Sequence, residues 1–404
     1  MRVIIAGAGI GGMTAALALN RQGCDVEVYE AVDEIRPLGV GINLLPHGSE
    51  LLHGLGLGAA LDATGIRTRA IEYRTKFGHM VTSDPRGTEA GFAYPQYSIH
   101  RGHLQFLLLD AASERLGPDR IHAAHPVVSL EQDGEGVTAH FPSGATARGD
   151  ALIGADGFHS VVRRQLHPDE GPAHYEGTLL RRGASEREPF ADGRTMFIAG
   201  NHDVKFVCYP ISEEARGRGR ALINWVAEVR HDQPRELAEA DWNRIGTRDF
   251  VEHFLDFAMP DIDIVDLVDA THQVLEYPMV DRDPLPWWTA GRVTLLGDAA
   301  HPMYPIGANG TSQAILDAVA LEQALADASS IETGLAAYED QRREKTSAVV
   351  LSNRENGPEQ VLDIADARLT GPDDRVEDLI TAEEVEAVAS RYRAVAGFQK
   401  VGEQ

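Results

Sequence analysis

Arg2-Val3-Ile4-Ile5-Ala6-Gly7-Ala8-Gly9-Ile10-Gly11-Gly12-Met13-Thr14-Ala15-Ala16-Leu17-Ala18-Leu19-Asn20-Arg21-Gln22-Gly23-Cys24-Asp25-Val26-Glu27-Val28-Tyr29-Glu30 is the stretch from which the fold follows. Arg2 to Ala6 reads as a buried strand. Gly11 to Gln22 reads as a helix with Met13, Ala16 and Leu17 on one face, and Asp25 to Glu30 as the next strand, which together make a βαβ unit. Between the first strand and the helix, Gly7-x-Gly9-x-x-Gly12 fits the dinucleotide fingerprint, with Gly11 inside it. Glu30 closes the second strand about 20 residues later, where an acidic side chain can grip ribose hydroxyls. Glycines here allow the tight turn and let a pyrophosphate approach the helix N-terminus.

A second strand-turn-helix pattern lies late in the chain. Val293 to Leu296 is apolar and breaks at Gly297-Asp298; Ala299-Ala300-His301-Pro302-Met303-Tyr304-Pro305-Ile306-Gly307-Ala308-Asn309-Gly310 then leads into an amphipathic segment from Thr311. An acid at a strand end beside a helix N-terminus suits a polyhydroxylated anionic ligand, because one accepts from hydroxyls and the other donates amides. Ala151 to Ala155 is a further apolar strand, ending in Asp156-Gly157 and followed by Ser160, Arg163 and Arg164.

Between these anchors the texture varies. Gly39-Val40-Gly41-Ile42-Asn43-Leu44-Leu45-Pro46 reads as a loop and short strand, and Tyr97 to Leu108 as a strand entering a helix, with Arg101 able to reach a phosphate or bridge two domains. Ile121 to Phe141 suggests an antiparallel unit. From about 177 to 283 the chain looks like a mostly antiparallel sheet, with strands at Met196 to Ala199, Lys205 to Ile211 and Ala221 to Arg230. Thr311 to Val350 and the tail to Gln404 read as helices. The run Arg216-Gly217-Arg218-Gly219-Arg220 reads as a solvated turn, or as a transient nucleotide contact.

The chain has 404 residues, with 37 Lys plus Arg against 62 Asp plus Glu and a net charge of -25. That charge argues against nucleic acid and anionic membranes as partners. Two cysteines, Cys24 and Cys208, build neither a disulfide framework nor a cysteine zinc site, which fits a cytoplasmic setting. The N-terminal apolar run, threaded with glycines, reads as strand and turn rather than as a signal peptide, and no membrane span is expected. His100/His103 and His122/His125 read as strand or loop histidines, and no metal site is expected.

In order and spacing, Gly7-x-Gly9-x-x-Gly12 with Glu30, Gly154-Ala155-Asp156-Gly157 with Ser160 and Arg163, and Gly297-Asp298-Ala299-Ala300-His301-Pro302 resemble the three fingerprints of single-component FAD-dependent aromatic hydroxylases. Within that family the chain looks most similar to phenazine-carboxylate and salicylate hydroxylase members, on His301 to Gly307 and Lys205 to Ser212. The resemblance covers about residues 1 to 350.

It implies an α/β fold: a Rossmann-like FAD-binding domain (1–66, 99–176 and 284–350), an inserted, mostly antiparallel substrate sheet (67–98 and 177–283) and a C-terminal helical segment (351–404). It implies FAD held by Gly7, Gly9, Gly11, Gly12, Glu30, Arg101, Asp156, Asp298, Gly307, Asn309 and Gly310, with Glu30 on the adenosine ribose and Asp298 on the ribityl or pyrophosphate region. NAD(P)H and O2 are the implied co-substrates and a small planar aromatic or heteroaromatic compound the substrate, hydroxylated through a flavin hydroperoxide, with or without loss of CO2. The assembly is expected to be a monomer or homodimer.

Where relatives commonly carry Trp-Arg-Gly, this chain has Arg181-Arg182-Gly183. Arg181 is thus a candidate for an anionic substrate group, or an exposed edge-strand residue. Tyr209 and Trp225 are candidate ring contacts, each equally suited to core packing. Pro305 and His47 complete the substrate candidates, His47 as a polar contact or proton acceptor. A flavin halogenase is a rival, but Trp287-Trp288-Thr289-Ala290 does not fit its W-x-W-x-I-P pattern; a flavin reductase or dehydrogenase, and a catalytically silent flavin-binding protein, are the others.

Overall fold

A computed structural model describes residues 1–36, 40–231 and 244–396. The loop residue Gly39, part of the 177–283 region, and the end of the expected C-terminal helices lie outside the described residues.

The first βαβ unit forms as the apolar pattern dictates: strand Arg2–Ala6, helix Ile10–Arg21 and strand Asp25–Tyr29. Val3, Ile4 and Ile5 are fully buried, as expected of a parallel strand covered on both faces. A five-stranded sheet grows around it in the order Val293–Leu295, Ala151–Gly154, Arg2–Ala6, Asp25–Tyr29, Ile121–His122, every pairing parallel. All three fingerprints therefore begin at the same end of adjacent strands, where ligands of open parallel sheets bind.

The antiparallel unit expected from Ile121 to Phe141 sits slightly later. Ile121–His122 is captured by the parallel sheet, and the antiparallel ladder runs through Ser129–Gln132, Val137–His140 and Thr146–Gly149.

The second large layer is an eight-stranded sheet. His174–Arg187 is its longest strand, flanked by Leu275–Asp281 and Ala221–Arg230; Val204–Pro210 and Thr195–Gly200 follow. Ala70–Arg74 joins Thr195–Gly200 in parallel, and Met80–Pro85 forms the edge. Because side chains alternate across a strand, the sheet has two distinct faces. Ile71, Tyr73, Leu180, Met196, Ile198, Val207 and Val226 belong to one apolar cluster. Phe197, Phe206, Cys208, Trp225 and Ala227 belong to the cluster behind it, packed on Phe250 and Phe254.

Helices Gly310–Asp327 and Ile331–Arg354 pack on the parallel sheet's side, and helices Gln360–Asp366 and Ala382–Ala396 return to the large sheet. No helix among the described residues is long and apolar enough to cross a membrane.

Candidate active site and cofactor cleft

A single cavity of about 320 Å³ runs from the first glycine turn, past the start of helix Gly310–Asp327, to the apolar face of the large sheet. Its dinucleotide end is built by close packing. Gly7 has φ +104°, and a Cβ there would collide with the Ala155 carbonyl; a Cβ on Gly12 would collide with the Gly7 carbonyl. Gly9 has nothing within 4 Å of a Cβ position and lines the cavity together with Gly11. This leaves the turn's backbone open to a pyrophosphate.

Glu30 secures the same turn. One carboxylate oxygen accepts from the Ala8 amide at 2.7 Å and the other from the Val32 amide at 3.0 Å. It stands beside the cavity rather than among its lining residues. Arg101, exposed at the start of helix Arg101–Leu116, does line it.

Asp156 is engaged within its own motif. Its carboxylate accepts from Ser160 Oγ at 2.5 Å, from the Val161 amide at 2.7 Å and from the Val162 amide at 3.2 Å, capping helix Val161–Leu166. Burial raises its pKa, and these bonds offset only part of the rise. Its neighbours Ala155 and Gly157, not Asp156 itself, line the cavity. Arg163, also from that motif and buried, donates to the carbonyls of Ala299 and Ala300 at 3.0 and 2.9 Å. The second fingerprint thus braces the third.

The Gly297-Asp298 turn is pinned from below. Gly297 has φ +63°, and its amide donates to Asp317 Oδ2 at 3.0 Å. The same oxygen lies 2.6 Å from His301 Nε2, and Arg342 Nε donates to Asp317 Oδ1 at 2.8 Å. Burial alone would raise the Asp317 pKa, but the charges on His301 and Arg342 outweigh it and hold it at about 2. His301 is therefore a buried structural partner of the turn. Asp298 is exposed and lines the cavity.

Pro305, Gly307 and Gly310 line the next section. Gly307 and Ala308 both have positive φ, at +66° and +56°. They turn the chain so that the N-terminus of helix Gly310–Asp327, with its partial positive charge, abuts the cavity. Asn309 is fully buried behind this turn, donating to the Tyr392 hydroxyl.

The substrate candidates separate by strand parity. Tyr209 lines the cavity, and burial pushes its phenol up to about 12 against the nearby Arg182 charge. Trp225 does not: it pairs in register with Cys208 and Gly183, faces the rear cluster, and donates from Nε1 to Thr271 Oγ1 at 2.8 Å. The expectation that Arg181 faces the pocket is likewise corrected, as is its exposed alternative. Arg181 is buried behind the sheet, 3.0 Å from Glu276 Oε2 and over the Phe250 ring. Its neighbour Arg182 takes the cavity side and donates to the Gly41 carbonyl at 2.8 Å. His47 is absent from the cavity lining; burial and the Arg342 charge push its pKa down to about 4, so its ring is neutral at neutral pH.

Sequence reading missed the cavity's charged inner end. Lys205 Nζ sits 2.9 Å from Glu228 Oε2 and 2.5 Å from Glu359 Oε2. Burial disfavours its charge, but the two carboxylates raise its pKa and keep the ammonium. Lys205 and Glu228, charged residues inside apolar strands and in register with each other, were the available signal. Tyr392 and Glu359 also line the cavity, from the C-terminal segment. The arginines at 216, 218 and 220 are occupied by Glu213, Glu214, Glu186 and Glu188. Among the described residues there is no metal-holding cluster of His, Cys, Asp and Glu.

A family model described as an FAD binding domain matches residues 1–352. The phenazine 1,6-dicarboxylic acid hydroxylase PhzS of Lysobacter antibioticus is 48% identical over 363 residues, 87% of this chain and 89% of that one. The 3-hydroxybenzoate 6-hydroxylase of Polaromonas naphthalenivorans is 32% identical, over 88% and 87% of the two chains. Among solved structures, Klebsiella pneumoniae HpxO complexed with FAD and uric acid aligns with a TM-score of 0.74 at 26% identity, covering 99% of this chain and 93% of that one. With its parallel-sheet cleft, antiparallel roof and three fingerprints, the chain belongs to the FAD-binding family of single-component aromatic hydroxylases, oxidoreductases that use FAD and NAD(P)H.

Proposed function

We propose that this enzyme hydroxylates a planar aromatic or heteroaromatic acid of one to three fused rings, a phenazine carboxylate being the first compound to try. The observation that carries the reading is the unbroken cavity joining the glycine turn, Asp298 and Gly307–Gly310 to an apolar sheet face. FAD fits the first part: Gly9 and Gly11 leave backbone room for the pyrophosphate, Arg101 supplies positive charge, and the exposed Asp298 offers acceptors for ribityl hydroxyls. Bound there, FAD would take a hydride from NAD(P)H and activate O2 for transfer to an aromatic ring.

The chain's own residues do the rest. Leu180, Met196, Ile198, Val207 and Val226 make a flat apolar wall that excludes water and holds a ring. Arg182 and Tyr209 offer polar contacts at one edge, Glu228 and Glu359 at the other. The helix N-terminus at Gly310 favours negative charge beside it. The proposed division is a cofactor domain of 1–66, 99–176 and 284–350, a sheet domain of 67–98 and 177–283, and a segment after 350 that closes the chamber with Pro358, Glu359 and Tyr392. The similarity to the Lysobacter phenazine 1,6-dicarboxylic acid hydroxylase favours a multi-ring acid. A cytoplasmic monomer or homodimer is the proposed working form.

The test is a panel of benzoates, quinolines and phenazine carboxylates on FAD-loaded protein, following NAD(P)H loss, hydroxylated product, CO2 and peroxide. Stimulated NAD(P)H oxidation with stoichiometric product from a phenazine acid supports the reading. Turnover confined to uncharged compounds would overturn the substrate class, and turnover of benzoates alone would remove the preference for a multi-ring acid.

A further inference from the structure

A second cavity, of about 240 Å³, lies beside the first, between the edge strand Met80–Pro85 and helix Ala382–Ala396. Tyr73, Arg86, Pro358 and Tyr392 line both, so these four side chains form the partition between them. Exposed Ser83, Pro85 and Glu386 lie on the second cavity's rim, which places its outer end at the protein surface.

Its inner wall carries an amide without a protein partner. Gln96 is fully buried, and neither its Oε1 nor its Nε2 meets a hydrogen-bonding group among the described residues. A buried amide left in this state is costly, and such groups are normally satisfied by water or a ligand. Arg86 adds a second open donor. Its Nη2 is engaged by Asp84 at 2.9 Å, but its buried Nε has no partner. The two residues are neighbours in space, since Gly87 packs against the Gln96 backbone amide. Phe92 contributes an aromatic wall.

We propose that this cavity is a ligand subsite, an antechamber that takes a planar aromatic acid bearing a hydroxyl or amino donor on its way between solvent and the main cavity. Gln96 Nε2 and Arg86 Nε donate to the carboxylate, Gln96 Oε1 accepts from the ring substituent, and Phe92 covers the ring. Passage inward requires Tyr392 and Arg86 to swing aside, which breaks the hydrogen bond that the Tyr392 hydroxyl accepts from Asn309. The assignment of the main cavity as the destination rests on the function proposed above; the subsite itself does not.

Salicylate, which has both groups, is the probe, used on the full-length FAD-loaded protein. Two binding events are expected by calorimetry. One changes the flavin absorbance; the other is silent there and shows salicylate on Gln96 and Arg86 in crystals. Gln96→Leu should weaken the silent event at least about tenfold and spare the other. Ala389→Trp, which fills the second cavity from its helix wall, should slow the flavin-monitored association several-fold at unchanged amplitude. A second event with no flavin-monitored one would uphold the subsite while removing the reading of the main cavity. Water alone on Gln96, or salicylate there at crystal concentration only, with Ala389→Trp associating at the wild-type rate, would overturn the proposal.

Discussion

Asp317 Oδ2 stands 2.6 Å from His301 Nε2, and the same atom accepts the Gly297 amide at 3.0 Å. One buried carboxylate thereby fixes both the turn that presents Asp298 and His301, three residues further on. Replacing it by Asn keeps the shape and removes the charge that His301 and Arg342 share. Breaking a buried pair of this kind costs about 3–5 kcal/mol. Asp317→Asn should therefore melt well below wild type and retain less FAD, measured by thermal denaturation and flavin absorbance. An unchanged melting temperature would remove Asp317 from this role.

Asp298 is exposed and carries no such structural duty. Asp298→Ala should fold with wild-type circular dichroism and stability. Its loss should appear in FAD affinity: a hydrogen bond to a charged acceptor is worth roughly 1.5–3 kcal/mol, or about 10- to 150-fold in Kd. Titration by flavin fluorescence reads this directly, and full FAD occupancy at wild-type affinity would count against Asp298 as a cofactor ligand.

What was legible in the sequence was what is local. The Gly7–Gly12 turn, the Gly297-Asp298 turn and the strands leading into them announce themselves within 30 residues, because backbone sterics and helix ends dictate the residue types. The sheet's facing was legible only in part. Tyr209 on the cavity side puts Cys208, and with it the paired Trp225, on the reverse face, so that reading both aromatics as pocket residues violated the two-residue period. Arg181 failed for the same reason, one position away from Arg182. The charged inner end and the second cavity depend on Lys205 meeting Glu359 and Gln96 facing helix Ala382–Ala396, contacts across more than 150 residues that no local pattern encodes.

Arg181→Met should destabilise the fold by about 3 kcal/mol or more, by leaving Glu276 with one fewer cation, while KM for aromatic acids stays at the wild-type value. Arg182→Met should do the opposite: nearly normal stability, with KM for carboxylated substrates raised on the order of tenfold. Denaturant titrations and steady-state kinetics on the two variants separate the faces. A rise in KM confined to Arg181→Met would mean that the opposite face of the strand meets the substrate.

His47 gives the fold an acid sensitivity at mild pH. Its folded pKa of about 4 lies below the ordinary value of 6.5, because burial and then the Arg342 charge disfavour the imidazolium. Above pH 6.5 the ring is neutral in both the folded and the unfolded chain, so it contributes no pH dependence. As pH falls from 6.5 towards 4 the unfolded chain takes up a proton that the folded one refuses. Stability should drop across that window by up to about 1.4 kcal/mol per pH unit. Asp317, with its folded pKa near 2, adds a further loss only below about pH 4, as its carboxylate is protonated. Denaturant unfolding of wild type and His47→Gln at half-unit steps from pH 7.5 to 4 isolates the first effect. The variant should show a shallower slope between pH 6.5 and 4, the remainder coming from His122 and His167, whose pKa values burial also lowers; a slope identical to wild type would assign the acid sensitivity to other groups.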